Sequence, residues 1–557
     1  MMRSMNQRIV SIFGVLAMTM AAISPVPSAR ANVYATDVKL NGGTANVPTP
    51  QGGGVVISYI LNEPATAGAT IKILSGATVV RSIAVAAGNP GALRGTNSVV
   101  WDGKDTGGQN VAPGTYSITV TAAATGFSGW TQTSSDADPG NHVANPRGIA
   151  VDRNITSPYY GRIFVGNAAA GPDPNNDPRD AVGILKLNAD GSPADEGGFS
   201  TGGYDWAGDG FSPWKIEVSA DDYVYINDWT GNGEIYRWDP TLSPASQLHV
   251  LRSDNWGNGG NVLLSGPSIV GTGTNTQIWV ADATVPGGLG ILKYGITTNF
   301  VCASNDVGET VVGIGGNNDL GYAPYDVAVG ANGLIFTIQF FTDPGNPAPR
   351  VLRFPAYDPA ANGNQPELTA NWAVGGTNDT YGGASGIAVA PSAVYVAVAF
   401  SGIEAPGGHT NANTKVLFAS NGAVSATLDL GRAVNNSDVA WDAVGNLYYT
   451  DGGAGVWRAY SPRGVNQSTT PALATVQVTG SAQPPDITGL TISSGMATIS
   501  FTGAASDTPS AFTLQSSALV SGPFSATSGA TVSQISPGVF RATVATVSSA
   551  QYYRIAR

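Results

Sequence analysis

The chain has 557 residues, enough for several domains or for one large β domain with smaller attachments. Charged residues make up only 11%, and 73 glycines and 35 prolines accompany many Thr, Ser, Val and Tyr residues, which predicts an all-β protein of short strands and tight turns. The 42% hydrophobic content excludes disorder through the bulk of the chain, and the net charge of −12 disfavours nucleic acid and anionic lipid as partners.

The first 31 residues have the pattern of a secretory signal peptide. Arg3 and Arg8 precede an apolar stretch over residues 9–23, and Ala29 and Ala31 frame a cleavage site. A membrane anchor is the alternative, but this stretch is shorter than the ~20 residues that a spanning helix needs. No second hydrophobic span follows, so we predict no integral membrane span and a location that is secreted, periplasmic or on the cell surface.

Residues 32–125 contain alternating apolar and polar runs, which predict a β-sandwich. The segment from residue 99 to 122 resembles the immunoglobulin-like (Ig-like) domain of flagellar hook-cap proteins. The resemblance rests on Trp101, Asp102, Gly103, Asp105, Gly107, Gly114 and Tyr116. We expect Trp101 to fill the core of the sandwich while Asp-Gly turns reverse the chain. The resemblance implies a spacer or assembly module without catalysis.

A pattern of three short strands recurs six times between residues 146 and 462. Each copy has one aliphatic residue that anchors its first strand, and the anchors lie 52 to 67 residues apart: Ile149, Ile216, Ile269, Val327, Ile387 and Val439. Repeats of about this length are typical of propeller blades, each of which buries its two apolar faces only against its neighbours. We predict a six-bladed β-propeller over residues 129–480.

One strand has to close the ring, and two segments are candidates, residues 129–135 and residues 474–480. The repeat itself, Pro-x-Gly-Ile-Ala-Val-Asp at residues 146–152 followed by a tyrosine-rich second strand that ends in Asp, resembles the NHL repeat family. That resemblance implies the propeller fold. It leaves the activity open, because this fold carries lyases, hydrolases and pure binding modules.

A basic residue recurs in five of the third strands, at Lys186, Arg237, Lys293, Arg353 and Arg458. We expect each of these side chains to pair with or cap its own sheet near the outer surface.

After linkers predicted at residues 466–471 and 482–485, residues 486–557 alternate apolar and polar positions again. They predict a second, smaller β-sandwich, similar to the C-terminal β modules of many exported bacterial proteins. Surface attachment and a stabilising cap are both open as its role.

The start of each first strand and the end of each second strand should share one face of the ring, where propellers bind ligands. The ligand-binding candidates at these positions are Arg147, Trp214, Lys215, Tyr325, Asp326, Asp438, Asp228 and Asp451. Aromatic faces with hydrogen-bonding rims suit an extracellular glycan, a peptide or a surface protein. The alternative is that the Asp and Asn residues here only end strands and brace turns.

No catalytic residue and no metal site is assigned. The three histidines, His142, His249 and His409, lack ligand spacing, and each is predicted to be a lone surface residue. Calcium held by the carboxylates at the ring face is the one cofactor left open, although no Glu stands beside them. We predict non-catalytic recognition or scaffolding, and the alternative is a metal-assisted lyase or hydrolase on the same face.

Overall fold

The computed structural model describes residues 32–206, 210–229, 233–252, 263–284, 288–314, 320–321, 323–339, 350–362, 368–375, 383–401, 412–480, 484–504, 507–547 and 551–557. The predicted leader and His409 lie outside these residues. The described chain is all-β apart from single helical turns, at Pro139–Asn141, Pro178–Asp180, Pro244–Ser246, Gly273–Asn275, Pro359–Asn362 and Pro509–Ala511. None of the helices described here has the length and apolarity needed to span a bilayer.

The N-terminal unit consists of two sheets around one apolar core. The first sheet contains Ala35–Leu40, Val55–Leu61 and Gly95–Trp101. The second contains Val47–Pro50, Val476–Thr479, Gly114–Phe127, Gly68–Ser75 and Thr78–Val85 in this order, and Gly464–Pro471 also pairs with Gly114–Phe127. Both sheets contribute to one core cluster, so this unit is a sandwich.

Trp101 fills the core of this sandwich, as the sequence predicted. Its side chain is 0% exposed, and its ring centre lies 5.6 Å from that of Tyr116. The indole nitrogen donates to the Lys104 carbonyl oxygen at 2.9 Å, so the one polar atom of the ring is also satisfied.

Six four-stranded antiparallel sheets follow, which we number I to VI and whose strands we call inner, second, third and outer. Sheet I contains Pro146–Val151, Ile163–Asn167, Gly183–Leu187 and Phe199–Ser200. Sheet II contains Ile216–Val218, Val224–Asp228, Glu234–Trp238 and Leu248–Leu251. Sheet III contains Leu264–Val270, Gln277–Asp282, Ile291–Gly295 and Glu309–Val312.

The remaining three sheets repeat this order. Sheet IV contains Asp326–Val329, Ile335–Ile338, Val351–Phe354 and Trp372–Val374. Sheet V contains Gly383–Val389, Tyr395–Ser401, Asn413–Phe418 and Val424–Leu428. Sheet VI contains Asn436–Trp441, Leu447–Asp451 and Val456–Ser461, and its outer strand is Thr131–Gln132 from before the repeats.

The inner strands of these sheets contact one another in cyclic order, and the inner strand of sheet VI contacts that of sheet I. The arrangement is therefore a closed ring and is propeller-like. In sheet VI, Gln132 pairs with Tyr460 and Thr131 with Ser461, so the earlier of the two candidate segments completes this sheet.

The later segment pairs elsewhere, which corrects two sequence-based boundaries. Residues 464–479, predicted to be part of the ring and of a linker, form two strands of the N-terminal sandwich. Gly464–Pro471 lies beside Gly114–Phe127, and Val476–Thr479 runs parallel to Val47–Pro50. The long strand Gly114–Phe127 would otherwise leave an edge unpaired, and these residues cover it.

The expectation that each basic residue of a third strand pairs with its own sheet holds for some of them only. Lys293 pairs with Glu309 and Arg458 with Asp451 in their own sheets, whereas Lys186 and Arg353 reach the next sheet. Lys186 Nζ in sheet I donates at 2.7 Å to the carbonyl oxygen of Thr241, which lies between the third and outer strands of sheet II. Arg353 Nη1 in sheet IV donates to the Ala419 carbonyl oxygen of sheet V at 2.8 Å. These side chains therefore connect neighbouring sheets.

The C-terminal unit has one sheet of Asp486–Ser493, Met496–Thr502, Val539–Ala545 and Thr531–Ser536, and one of Ser525–Ala526, Thr513–Ser517 and Tyr552–Ala556. Its core contains Phe501, Phe512 and Phe540, whose ring centres lie 4.8 to 5.6 Å apart.

Candidate functional site

A cavity of about 60 Å³ lies on the axis of the ring and is lined by the inner strands of all six sheets. The residue just before each anchor aliphatic occupies an equivalent place in its sheet. In chain order these residues are Gly148, Lys215, Ser268, Asp326, Gly386 and Asp438. The four that carry side chains line the cavity.

Lys215 lies at the axis, and its ammonium group contacts three other sheets. Nζ donates to the carbonyl oxygens of Ser385 at 2.6 Å and Ser437 at 2.8 Å. It also lies 3.0 Å from Asp438 Oδ1 and 3.4 Å from Asp326 Oδ2. The side chains of Lys215, Asp326 and Asp438, which we call the axial triad, are 3%, 6% and 6% exposed.

The Lys215 ammonium group thus faces two carboxyl groups in a site that is almost closed to water. Burial raises the pKa of Asp438 to about 7; the Lys215 ammonium opposes this rise and the Asp326 carboxylate adds to it. Burial also raises the pKa of Asp326. These three predicted ligand contacts bind one another and hold sheets II, IV and VI together at the axis.

Each carboxyl group of the axial triad also accepts a backbone hydrogen bond from the next sheet. Asp438 Oδ2 accepts from the nitrogen of Ile149 at 3.0 Å, and Asp326 Oδ2 accepts from that of Ile387 at 3.2 Å. A Cβ atom at Gly386 would lie 2.8 Å from Asp438 Oδ1, so this position has no room for a side chain. The glycine at this place in sheet V therefore leaves the space that the axial triad occupies.

Asp451, another ligand candidate, braces the turn at the end of its strand. Its carboxylate accepts from the backbone nitrogens of Asn435 at 2.9 Å and Ala454 at 3.2 Å, and Arg458 Nη1 donates to it at 2.9 Å. Asp451 is 0% exposed. Asp451 therefore braces a turn, which is the alternative that the sequence left open for the Asp and Asn residues at these positions.

We expect Asp451→Ala to destabilise the ring by about 3 kcal/mol or more. The buried Arg458 keeps Asp136 and Asp429 but loses this carboxylate, and the backbone nitrogens of Asn435 and Ala454 lose their acceptor. Chemical denaturation of the purified variant measures the change. The control is Asp177→Ala, whose ion pair with Arg179 is partly exposed and should be worth less than about 1 kcal/mol. Equal effects of the two substitutions would contradict the bracing role.

Five side chains gather at the face of the ring where inner strands begin, and we call them the mouth cluster: Arg147, Phe211, Trp214, Trp229 and Tyr325. The ring centres of Trp214 and Trp229 are 5.0 Å apart, and that of Tyr325 lies 5.9 and 5.6 Å from them. The Arg147 guanidinium carbon lies 5.2 Å from the ring centre of Phe211 and 5.5 Å from that of Trp214. Trp214 is buried, Phe211 is 43% exposed, and the other three are partly exposed.

The repeat explains this gathering. Arg147, Trp214 and Tyr325 each follow a proline and enter the inner strand of their sheet, and each directly precedes the axis-lining position. Because neighbouring residues of a strand face opposite sides of the sheet, the mouth residue and the axis-lining residue of each sheet point in different directions. Trp229 directly follows a second strand, whereas Phe211 has no place in the repeat and no sequence signal would have found it.

Asp228, the last ligand candidate, begins a chain of titratable groups in sheet II. It is 4% exposed and accepts from Tyr204 Oη at 2.6 Å. Tyr204 Oη lies 3.3 Å from Tyr236 Oη, which donates to Glu234 Oε2 at 3.1 Å. Burial raises the pKa of Tyr236 to about 12, and burial together with the bond to Asp228 raises that of Tyr204.

His249 ends this chain and is not the lone surface residue that the sequence predicted. Its ring stacks on Tyr236 with 4.2 Å between ring centres, and its Nε2 lies 3.1 Å from Glu234 Oε2. Sequence reasoning missed this group. The available signal was register, because Tyr236 and His249 are paired residues on adjacent strands.

Within the part of the chain that the structure describes, no group of three or more His, Cys, Asp or Glu side chains has an arrangement that would hold a metal ion. The carboxylates considered for calcium are used separately. Asp326 and Asp438 belong to the axial triad, and Asp228 binds Tyr204. Asp451 and Asp282 brace turns, and Asp282 accepts from the backbone nitrogens of Thr284 and Leu289.

Residues 44–126 match the family model described as the FlgD Ig-like domain, which supports an Ig-like domain in the N-terminal part of the chain. No curated protein matches the chain. Solved structures that resemble it include the calcium structure of a Trichoderma reesei carbohydrate-active enzyme of family AA12, with 12% identity, a TM-score of 0.37, and coverage of 60% of this chain and 96% of that one.

Two further similar structures are a glucose dehydrogenase and a β-propeller domain. The glucose dehydrogenase has 13% identity and a TM-score of 0.32 over 59% of this chain and 98% of its own. The β-propeller domain of Myceliophteria thermophila Cps50 (Swd1) has 10% identity and a TM-score of 0.31 over 60% and 99%. At these values the likeness identifies neither an activity nor a ligand of this chain.

Proposed function

We propose that this chain is an exported recognition protein that binds a neutral polysaccharide at the mouth cluster. In this proposal residues 1–31 are a cleaved leader, residues 32–125 an Ig-like spacer, residues 129–480 a six-bladed NHL-like β-propeller that gives residues 464–479 to the spacer, and residues 486–557 a C-terminal module. The protein acts in the periplasm, at the cell surface or in the medium, and it has no resident cofactor.

The observation that carries the proposal is the composition of the mouth cluster. Partly exposed rings of Phe211, Trp229 and Tyr325 stand beside the Arg147 guanidinium, and buried Trp214 fixes their base through a 3.0 Å bond from its Nε1 to Ser265 Oγ. Flat aromatic faces stack on the C–H faces of sugar rings, and polar groups at the rim bind hydroxyl groups. Peptides and surface proteins remain the competing ligands.

The net charge of the chain indicates which class of glycan should bind. Without the leader, which has three Arg and no acid, the chain has 23 basic and 38 acidic residues, a net charge of −15. Such a surface repels polyanions, over a distance that is set by the ionic strength. We therefore expect xylans and β-glucans to bind and uronic-acid polymers to bind weakly.

Trp229→Ala is expected to weaken polysaccharide binding by about 2 kcal/mol, roughly 30-fold, because a partly exposed Trp in a contact cluster is a typical hot spot. Affinity electrophoresis with soluble xylan and β-glucan measures this loss. Unfolding should change little, because the ring of Trp229 is not in the apolar core.

The matched control is Trp130→Ala, which removes a partly exposed Trp that packs on Trp441. Trp441 ends its inner strand, so this pair lies at the opposite face of the ring. We expect binding to be unchanged in the control. An equal loss in both variants, or binding of peptides in place of glycans, would overturn the proposal.

A catalytic alternative has one observation in its favour. The hydrogen-bonded chain from Asp228 through Tyr204 and Tyr236 to Glu234 begins next to Trp229, and proton-carrying groups beside a sugar site are able to serve acid–base chemistry. Assays of reducing ends and of unsaturated sugars, with and without added calcium, test it. Product formation that is lost in Glu234→Gln would replace recognition by a lyase or hydrolase.

A further inference from the structure

Asn32, the first residue after the predicted cleavage site, is buried where the sandwich meets sheet VI. Its backbone nitrogen donates to Ser461 Oγ at 3.0 Å, and its carbonyl oxygen accepts from Asn446 Nδ2 at 2.9 Å and Asn62 Nδ2 at 3.1 Å. Its side-chain oxygen accepts from Asn466 Nδ2 at 3.0 Å. Asn32 is 6% exposed, so the fold fixes this residue closely.

A buried carboxyl group lies on the other side of the Ser461 hydroxyl that this nitrogen contacts. Glu63 is 3% exposed, its Oε1 lies 3.4 Å from the same Ser461 Oγ, and its Oε2 has no hydrogen-bond partner among the residues that the structure describes. The described residues form no ion pair with Glu63. Arg94, whose positive charge acts on Glu63, gives its hydrogen bonds to two backbone carbonyl oxygens. Burial, with Asp442 adding to the effect, raises the pKa of Glu63 to about 7.

The hydrogen atoms available here do not satisfy Glu63. The Ser461 hydroxyl has one proton, and its nearer acceptor is Asn446 Oδ1 at 2.9 Å. In the uncut chain the Asn32 nitrogen is an amide whose single hydrogen already goes to Ser461. A buried acceptor without a donor costs about 1–3 kcal/mol, so this junction is incomplete before cleavage.

We propose that the α-ammonium group created by cleavage between Ala31 and Asn32 binds Glu63 and Ser461, and that leader removal thereby locks the sandwich onto the ring. In the hydrolysis, which an endopeptidase of exported proteins catalyses, the C–N bond between Ala31 and Asn32 breaks. The hydroxyl group of water goes to the Ala31 carbonyl carbon and the other hydrogen to the Asn32 nitrogen. The new carboxyl group then releases its proton, and the new amine takes one up. The α-ammonium group has three hydrogens and a positive charge, whereas the amide had one hydrogen and no charge. This inference rests on the export that the proposed function includes.

The lock joins the two units because its partners come from both. Glu63 follows the sandwich strand Val55–Leu61, whereas Ser461 ends the third strand of sheet VI. An ammonium–carboxylate pair with this little water is strong only where further hydrogen bonds satisfy it, and Ser461 Oγ accepts one from the ammonium group.

The test compares two chains, one that begins at Asn32 and one that carries Gly-Ser before Asn32. Both are released from a ubiquitin-like fusion by its specific protease. At pH 7 we expect the chain that begins at Asn32 to unfold at a temperature higher by at least about 3 °C. Glu63→Gln keeps the shape of the side chain and removes its charge, and in this background we expect the two chains to unfold together.

Chemical labelling gives a second readout that does not depend on the stability of a variant. An exposed α-amine has a pKa of about 7.7–8.0 and reacts readily with aldehyde and borohydride. We expect the amine of Asn32 to resist this labelling in the folded chain, to react in urea, and to regain reactivity in folded Glu63→Gln. Ready labelling of the folded parent chain would overturn the proposal.

The pH dependence has a defined sign. Glu63 and Arg94 from the sandwich, Asp442 and Tyr448 from sheet VI, and Tyr34 face the junction. An α-amine that gains a carboxylate has a folded pKa above its unfolded value, so its contribution is present below pH 8 and is lost as the pH rises through the folded pKa. The advantage of the chain that begins at Asn32 should therefore decrease as the pH rises above about 8.

Failure of this inference is distinguishable from failure of the proposed function. N-terminal sequencing of the exported protein that finds a start other than Asn32 overturns the lock, and so do equal unfolding temperatures of the two chains. Polysaccharide binding reports on the mouth cluster at the other face of the ring, and it should be the same for both chains.

Discussion

Lys215→Met is expected to destabilise the ring by about 3–5 kcal/mol at pH 8. The substitution leaves Asp326 and Asp438 buried without their cation, and removal of one partner from a buried ion pair typically has a cost of this size. It also removes the donor to the carbonyl oxygens of Ser385 and Ser437. Urea unfolding measures the change.

The destabilisation caused by Lys215→Met should become smaller as the pH is lowered. A carboxyl group whose folded pKa is raised contributes stability that is present below its unfolded pKa of about 3.9 and is lost as the pH rises through the folded pKa, about 7 for Asp438. Lys215 opposes this rise, so without Lys215 both carboxyl pKa values rise further and the folded variant takes up protons. We expect the loss at pH 5 to be clearly smaller than at pH 8.

Lys293→Met is the matched control. Lys293 forms an ion pair with Glu309, but both side chains are partly exposed, so its removal should cost less than about 1 kcal/mol at either pH. A loss for Lys215→Met that is equally small, or one that does not change between pH 5 and pH 8, would contradict the role assigned to the axial triad.

A chain that spans residues 32–463 is expected to lose the sandwich while it keeps the ring. Truncation there removes the strands Gly464–Pro471 and Val476–Thr479 from the sheet that contains Gly114–Phe127. Val476 and Val478 are buried in the core, and burial of each contributes about 1.5–3 kcal/mol, so the sandwich loses about 3–6 kcal/mol. The free energy of unfolding of a unit of this size is typically little larger than this loss.

Hydrogen exchange followed by mass spectrometry measures this loss at Val55–Leu61 in the sandwich and at Tyr395–Ser401 in the ring. The control chain spans residues 32–483, which keeps both strands and removes only the C-terminal unit. We expect fast exchange at Val55–Leu61 in the shorter chain alone. Equal protection in both chains would show that the sandwich does not need these strands.

The sequence was sufficient for the all-β, propeller-like arrangement because the signal repeats. Six anchor aliphatics at similar spacing specify six sheets without any knowledge of how they pack. It was insufficient at residues 464–479, whose Thr and Val alternation predicts a strand but contains nothing about which of two edges that strand completes.

The candidate site shows the same division. That Arg147, Trp214 and Tyr325 come together follows from one shared place in the repeat. Lys215, Asp326 and Asp438 occupy the next place, and only the radius of the ring decides that one ammonium group reaches two carboxylates across the axis. The pairing of Asp451 with Arg458 depends in the same way on how tightly the turn closes.

The return of the chain to the sandwich has a mechanical consequence. The chain leaves the sandwich after Gly114–Phe127, runs once around the ring, and comes back as Gly464–Pro471, which pairs with the strand that it left. Tension between the N-terminal sandwich and the residues that follow Thr479 is therefore carried by strand pairs of the sandwich and bypasses all six sheets. A pull applied in this way should leave the geometry of the mouth cluster unchanged.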